Sequence, residues 1–76
     1  MIDLVKNDLR LASMHRIIKK AGAERVSDSA LKELRIALED IGLKIAMEAL
    51  DFTKHAQRKT VREEDIKIAV RKVLNN

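Results

Sequence analysis

The stretch DSALKELRIALEDIGLKIAMEALDFTKH, from Asp28 to His55, decides the fold. Ala30, Leu34, Ala37, Leu38, Ile41, Ile45, Ala49 and Phe52 recur along it at helical spacing. They make one continuous apolar stripe of the kind a helix turns toward a core. Ser27 is a good N-cap and Asp28 a first-turn acid, so the start is doubly marked. A helix over these residues is about 42 Å long at 1.5 Å per residue, well beyond the average of about 11 residues in globular proteins. A second stripe, Leu43, Ala46, Met47 and Leu50, lies roughly opposite part of the first and is confined to the C-terminal half. That half needs cover on two sides.

Two shorter elements flank it. Met14 to Ala21 reads as a helix behind a Ser13 N-cap, with Met14, Ile17, Ile18 and Ala21 on one face and Gly22 as its stop. Thr60 to Leu74 reads as another, with Ile66, Ala69, Val70 and Val73 on the buried side. Thr60-Val61-Arg62-Glu63 fits the capping box, in which threonine and glutamate each satisfy the other's free backbone amide. There is no proline, glycine occurs only at Gly22 and Gly42, and no repeat or linker interrupts the chain. The predicted class is all-α, with the order short helix, loop, long helix, loop, short helix.

Size and composition limit what such a chain can be. Seventy-six residues make one small domain, and 46% hydrophobic with 37% charged residues is a globular balance, not a disordered one. The absence of cysteine excludes disulfides, thiolate metal sites and a cysteine nucleophile. Two histidines, His15 and His55, do not make a catalytic zinc site on their own. No nucleophile–base pair or metal-ligand cluster stands out, so neither an enzyme nor a cofactor is expected. No apolar run approaches a membrane span, and no signal-peptide pattern opens the chain. A long rod with two short arms leaves its stripe exposed, and a chain this short has little core to spare. The cure is a second copy, with two long helices crossing to bury each other's stripes.

The net charge of +4 is a modest excess, so its distribution matters more than its size. Arg10, Arg16, Lys19 and Lys20 precede Glu24 with no acid between Leu9 and that residue, and Arg25 stands in the first loop. Lys54, Arg58, Lys59 and Arg62 gather around the second. Acids collect instead along the long helix, at Glu39, Asp40, Glu48 and Asp51, and from Glu63 to Asp65. Basic loops next to helix N-termini suit phosphate. In an antiparallel dimer the first loop of one chain comes near the second loop of the other.

Several stretches resemble the archaeal histones. These are Arg16-Ile17-Ile18-Lys19, Ala21-Gly22-Ala23-Glu24-Arg25-Val26-Ser27, His55-Ala56-Gln57-Arg58-Lys59-Thr60-Val61, Glu64-Asp65-Ile66 and Ala69-Val70-Arg71. The likeness runs without a gap from about residue 14 to 73. It implies a histone fold over residues 14–76, forming an intertwined dimer, and a chromatin protein that wraps and compacts double-stranded DNA largely independently of sequence. It places the protein in the cytoplasm, on the nucleoid.

By the same resemblance, Arg25 enters the minor groove, paired with Thr60 of the other chain. Lys59 and Arg62 contact the DNA backbone, Arg16 and Lys19 face the duplex from the first helix, and Arg58 joins this DNA-binding set while pairing with Asp65 to brace the second loop. Phe52, His55, Asp65 and Ile68 form the contact between dimers, and Gly22 is the small residue where successive turns of a filament stack. Homodimers, or heterodimers with a paralogue, then add into tetramers or filaments on DNA.

Two departures stand out. Met1 to Ser13 lacks the prolines of the usual opening, and Ile2, Val5, Leu9 and Ala12 at steps of three and four leave two readings, a short extra helix or a frayed arm. Gln57 stands where many members have glycine, and a left-handed backbone there costs glutamine on the order of 1 kcal/mol. Two rival functions differ in their partners. A histone-fold interaction subunit of a transcription-related complex predicts weak DNA binding and a hetero-partner. A basic amphipathic membrane-surface protein fits poorly with the acids on the long helix.

Overall fold

The computed structural model describes residues 3–75, with side chains from Leu11 onward. Three helices account for most of them: α1 (Asp3–Lys20), α2 (Asp28–His55) and α3 (Glu63–Leu74), with no strand among the described residues. The chain divides inside α2, residues through Leu38 forming one unit and residues from Glu39 the other.

In the first unit, α1 runs unbroken from Asp3 to Lys20, so Ser13 is an interior residue and not the predicted cap. The reason is composition. No glycine or proline lies between residues 3 and 20, and a serine without a breaker beside it does not start a helix. Of the two readings of the N-terminal segment, the backbone is helical from Asp3 but makes no separate element; Ile2 and the side chains of Val5 and Leu9 lie outside the described residues. Leu11, Met14 and Ile18 form the inward row of α1, with Met14 buried, whereas Ile17 and Ala21 of the predicted face are exposed. The start of α2 is as read. The Ala30 amide donates to Ser27 Oγ at 3.1 Å, and the Leu31 amide to the Ser27 carbonyl at 3.2 Å.

In the second unit α3 packs along the end of α2. Thr53 reaches Asp65, and near the other end of α3 Lys72 reaches Glu48 at 3.1 Å. Between these links lie Ala49 and Ala69, both fully buried, where small side chains permit close approach. The helix starts at Glu63, three residues later than the predicted Thr60 start. Thr60 caps nothing; Asp65 accepts the Arg62 amide at 2.9 Å, and the Asp65 amide donates to the Arg62 carbonyl at 3.0 Å. Glu63, the supposed reciprocal partner of Thr60, pairs with Lys67 instead. A carboxylate at the third helical position satisfies the amide better than the threonine box would, because it is itself held in place by an arginine.

Burial is thin. Among the described residues only Met14, Ala49 and Ala69 are buried apolar side chains, while Leu43 (60%), Met47 (62%) and Ile36 (54%) stand in solvent. Ile36, Leu43, Met47 and Leu50 recur at steps of seven, four and three. Within the second unit, Leu43, Met47 and Leu50 of the second stripe stand exposed along α2.

Candidate nucleic-acid interface

The two loops are built alike. Each is seven residues long, 21–27 and 56–62, and each opens by terminating a helix with the same paired bonds. After α1, Gly22 N–H donates to the Lys19 carbonyl at 3.0 Å and Ala23 N–H to Ile18 at 3.4 Å. After α2, Gln57 N–H donates to Lys54 at 2.9 Å and Arg58 N–H to Thr53 at 3.0 Å. These are the two bonds of a Schellman motif, which requires a left-handed residue just past the helix. Gly22 supplies it at φ 108° and Gln57 at φ 58°. The fifth loop residue is Arg25 in one loop and Thr60 in the other, both exposed. Only Ala21/Ala56 and Val26/Val61 are identical between the loops, too thin a repeat to have been noticed in the sequence.

Each loop is braced by a cation. In loop 2, Arg58 Nη1 and Nη2 each donate to a carboxylate oxygen of Asp65 at 2.9 Å, and Nη1 also donates to the Thr60 carbonyl at 3.0 Å. Asp65 is 3% exposed and its Oδ2 also takes the Arg62 amide and the Thr53 hydroxyl, the latter at 2.8 Å. That hydroxyl has one proton, which lies between Asp65 and the Ala49 carbonyl at 2.9 Å. Arg58 above all, then the Arg62 amide and Thr53, hold the Asp65 carboxyl far below the usual carboxylate range against the opposing effect of burial. Asp65 in turn holds the Arg58 guanidinium above its ordinary value. In loop 1, Lys19 Nζ donates to the carbonyls of Glu24, at 2.5 Å, and Ala23, at 3.4 Å.

Seven side chains were expected at DNA, and their placement divides them. Arg16, Arg25, Lys59, Thr60 and Arg62 are exposed, with no side-chain hydrogen bond or ion pair among the described residues. Lys20 and Lys54 are likewise unpaired. Lys19 is exposed but engaged by loop 1, and Arg58 is committed to Asp65. The N-terminus of α3 carries Glu63, Glu64 and Asp65 in its first turn. Its positive end is thus already complemented by carboxylates.

Of the residues expected between dimers, Phe52 is half-buried with Lys72 Nζ 5.9 Å above its ring, and Ile68 is exposed. His55 is exposed, its Nδ1 2.8 Å from the Asp51 carbonyl and 3.7 Å from the Asp51 carboxylate. Gly22 is exposed, and a β-carbon added there would meet nothing within 4 Å. Thr53 and Lys72 escaped the sequence reading, Glu48 entered it only as one of the acids of the long helix, and no motif marks their contacts. Among the described residues no group of three or more acids and histidines could hold a metal ion, and no helix is long and apolar enough to cross a membrane.

The chain is similar to known proteins over most of its length. Residues 7–70 match the family described as histone-like transcription factor (CBF/NF-Y) and archaeal histone. A probable archaeal histone 3 of Methanocaldococcus jannaschii is 53% identical over 64 residues, covering 84% of this chain and 96% of that one. An archaeal histone HAN1 subunit of Thermococcus zilligii is 45% identical over 64 residues, with the same coverage.

Proposed function

The chain belongs to the histone-like transcription factor and archaeal histone family, and from that premise we propose that it packages double-stranded DNA on the nucleoid, without catalysis. The observation that carries this is the pair of equivalent loops, each rigidly closed at its start and each ringed by exposed cations. Such a surface binds phosphate by releasing counterions and reads no base sequence, so its preference is for DNA that bends easily.

The working unit is a dimer. Leu43, Met47 and Leu50 stand exposed in the second unit of the single chain, an apolar patch that soluble monomers rarely leave uncovered. A second α2 crossing over it supplies the cover and brings loop 1 of one chain to loop 2 of the other. Arg25 then enters the minor groove beside Thr60 of the other chain, Arg16, Lys59 and Arg62 hold phosphates, and Arg58 with Asp65 fixes the loop 2 backbone. Further dimers add through Phe52, His55, Asp65 and Ile68. Asp65 Oδ2 is taken by three donors, whereas Oδ1 takes one and keeps acceptor capacity for a fourth partner. Gly22 lets successive turns of DNA-bound protein approach closely.

Nuclease protection of random-sequence duplex at rising protein, at two salt concentrations, tests the proposal. Protected fragments that lengthen in regular steps and weaken with salt are expected, and Arg25→Ala should lower affinity for all sequences alike. No protection even at low salt would overturn it and direct attention to a hetero-partner, as for a transcription-complex subunit.

A further inference from the structure

We propose that Lys19 is a positioning residue for loop 1, acting on DNA through Arg25 and not through a phosphate of its own. The inference rests on the reading of loop 1 as a DNA-contacting loop and assigns Lys19 a different part in it. Lys19 leaves the last turn of α1, where a cation is favoured by the helix dipole. Its ammonium turns back over the Schellman stop and donates to the Ala23 and Glu24 carbonyls, the two residues that lead directly into Arg25. Its own carbonyl accepts the Gly22 amide, so one residue holds the loop from both its backbone and its side chain.

Loop 2 gives the same solution with different chemistry. There Arg58 donates to the carbonyl of Thr60, the residue equivalent to Arg25, and is anchored on Asp65. Loop 1 has no buried carboxylate among the described residues, and a lysine reaching from the preceding helix takes over the task. Both braces neutralise loop carbonyls, whose partial negative charge would otherwise face phosphate. An ammonium with two carbonyls in its coordination sphere is also a weaker phosphate ligand than Arg16 or Lys20, which have no such partners among the described residues.

The position argues for a test that separates bracing from contact. Lys19→Met keeps the aliphatic stem and removes the donor, and Lys19→Arg keeps charge and donors. In the free protein, amide hydrogen exchange at Gly22 and Ala23, whose amides donate to the Lys19 and Ile18 carbonyls, should accelerate several-fold in Lys19→Met and return toward the wild-type rate in Lys19→Arg. On duplex DNA, Lys19→Met should weaken binding while the slope of log affinity against log salt stays within experimental error of the wild type. Were Lys19 a direct phosphate ligand, its removal from both chains of a dimer would instead flatten that slope by about 1.8. Unchanged loop exchange, or that flattening, overturns the assignment. If wild-type protein protects no DNA, the packaging reading fails, while loop exchange still decides the role of Lys19.

Discussion

Arg58 and Asp65 meet in a two-bond clasp, Nη1 on Oδ2 and Nη2 on Oδ1, each at 2.9 Å, that ties loop 2 to the first turn of α3. The same carboxylate caps the Arg62 amide and receives the Thr53 hydroxyl. One ionised side chain thus fixes a helix start, a loop and the end of α2, and its charge state becomes a stability variable. The carboxyl is depressed in the folded chain, so its contribution is present at pH values above its unfolded value of about 4. It is lost as pH falls below that point toward the depressed folded value. Thermal melts of the wild type should therefore show a stability loss setting in below about pH 4. Asp65→Asn should melt earlier than wild type at pH 7, with the difference shrinking at pH 3. An equal difference at both pH values would mean that shape and not charge is what Asp65 supplies.

Gln57 and Gly22 occupy the same place in two copies of one motif, and only one of them is suited to it. Gln57 sits at φ 58° and carries the left-handed penalty that glycine avoids. Gln57→Gly should stabilise by roughly 0.5–1 kcal/mol, the relief of strain being partly offset by the freer unfolded chain. Gly22→Ala should cost about 1–2 kcal/mol, although a β-carbon there meets no atom within 4 Å. The cause is backbone geometry alone, because φ 108° lies where side-chain-bearing residues rarely go. Urea unfolding at a fixed protein concentration measures both, and opposite signs are the expected result.

What the sequence disclosed follows from how local each signal is. The limits of α2 were legible because its stripe repeats over many turns and Ser27 accepts the Ala30 amide as its N-cap. The start of α3 was misread because Thr60 and Glu63 satisfy a two-residue pattern that a stronger acceptor overrides. Asp65 wins that amide through Arg58, seven residues earlier, and no short motif contains both. Ser13 misled for the converse reason, since a capping residue is informative only where the preceding chain cannot be helical. The bracing of loop 1 is invisible in sequence because Lys19 bonds to backbone carbonyls, which every residue has. The Arg58–Asp65 pair was foreseen only through the family likeness.

His55 offers a prediction about assembly. Its Nδ1 lies 2.8 Å from the Asp51 carbonyl, which can only accept, so Nδ1 carries the hydrogen. A neutral ring then presents a lone pair at Nε2 and cannot donate to Asp65 of another dimer without giving up the Asp51 bond. The charged groups beside it on α2 are Asp51, whose carboxylate is 3.7 Å away, and Lys54, the preceding residue. Tetramer formation by free dimers should weaken in His55→Ala, which removes the donor, while dimer formation is spared. His55→Gln, an uncharged donor, should retain more of the tetramer than His55→Ala, as sedimentation would show.

Met47 distinguishes a dimer from a self-sufficient chain. It is 62% exposed in the single chain, between Leu43 and Leu50 of the second stripe. At an exposed site of a monomer, Met47→Glu would shift stability by less than about 0.5 kcal/mol. If a second α2 covers the stripe, the same change places a carboxylate in a closed apolar seam on both sides of the twofold axis. The variant should then dissociate at micromolar concentration in sedimentation, and its melting temperature should fall by an amount that grows on dilution. Lys32→Ala, an exposed α2 residue with no partner among the described residues, serves as the comparison and should remain dimeric. A Met47→Glu protein that sediments and melts like wild type at every concentration would place the dimer seam on another face of α2.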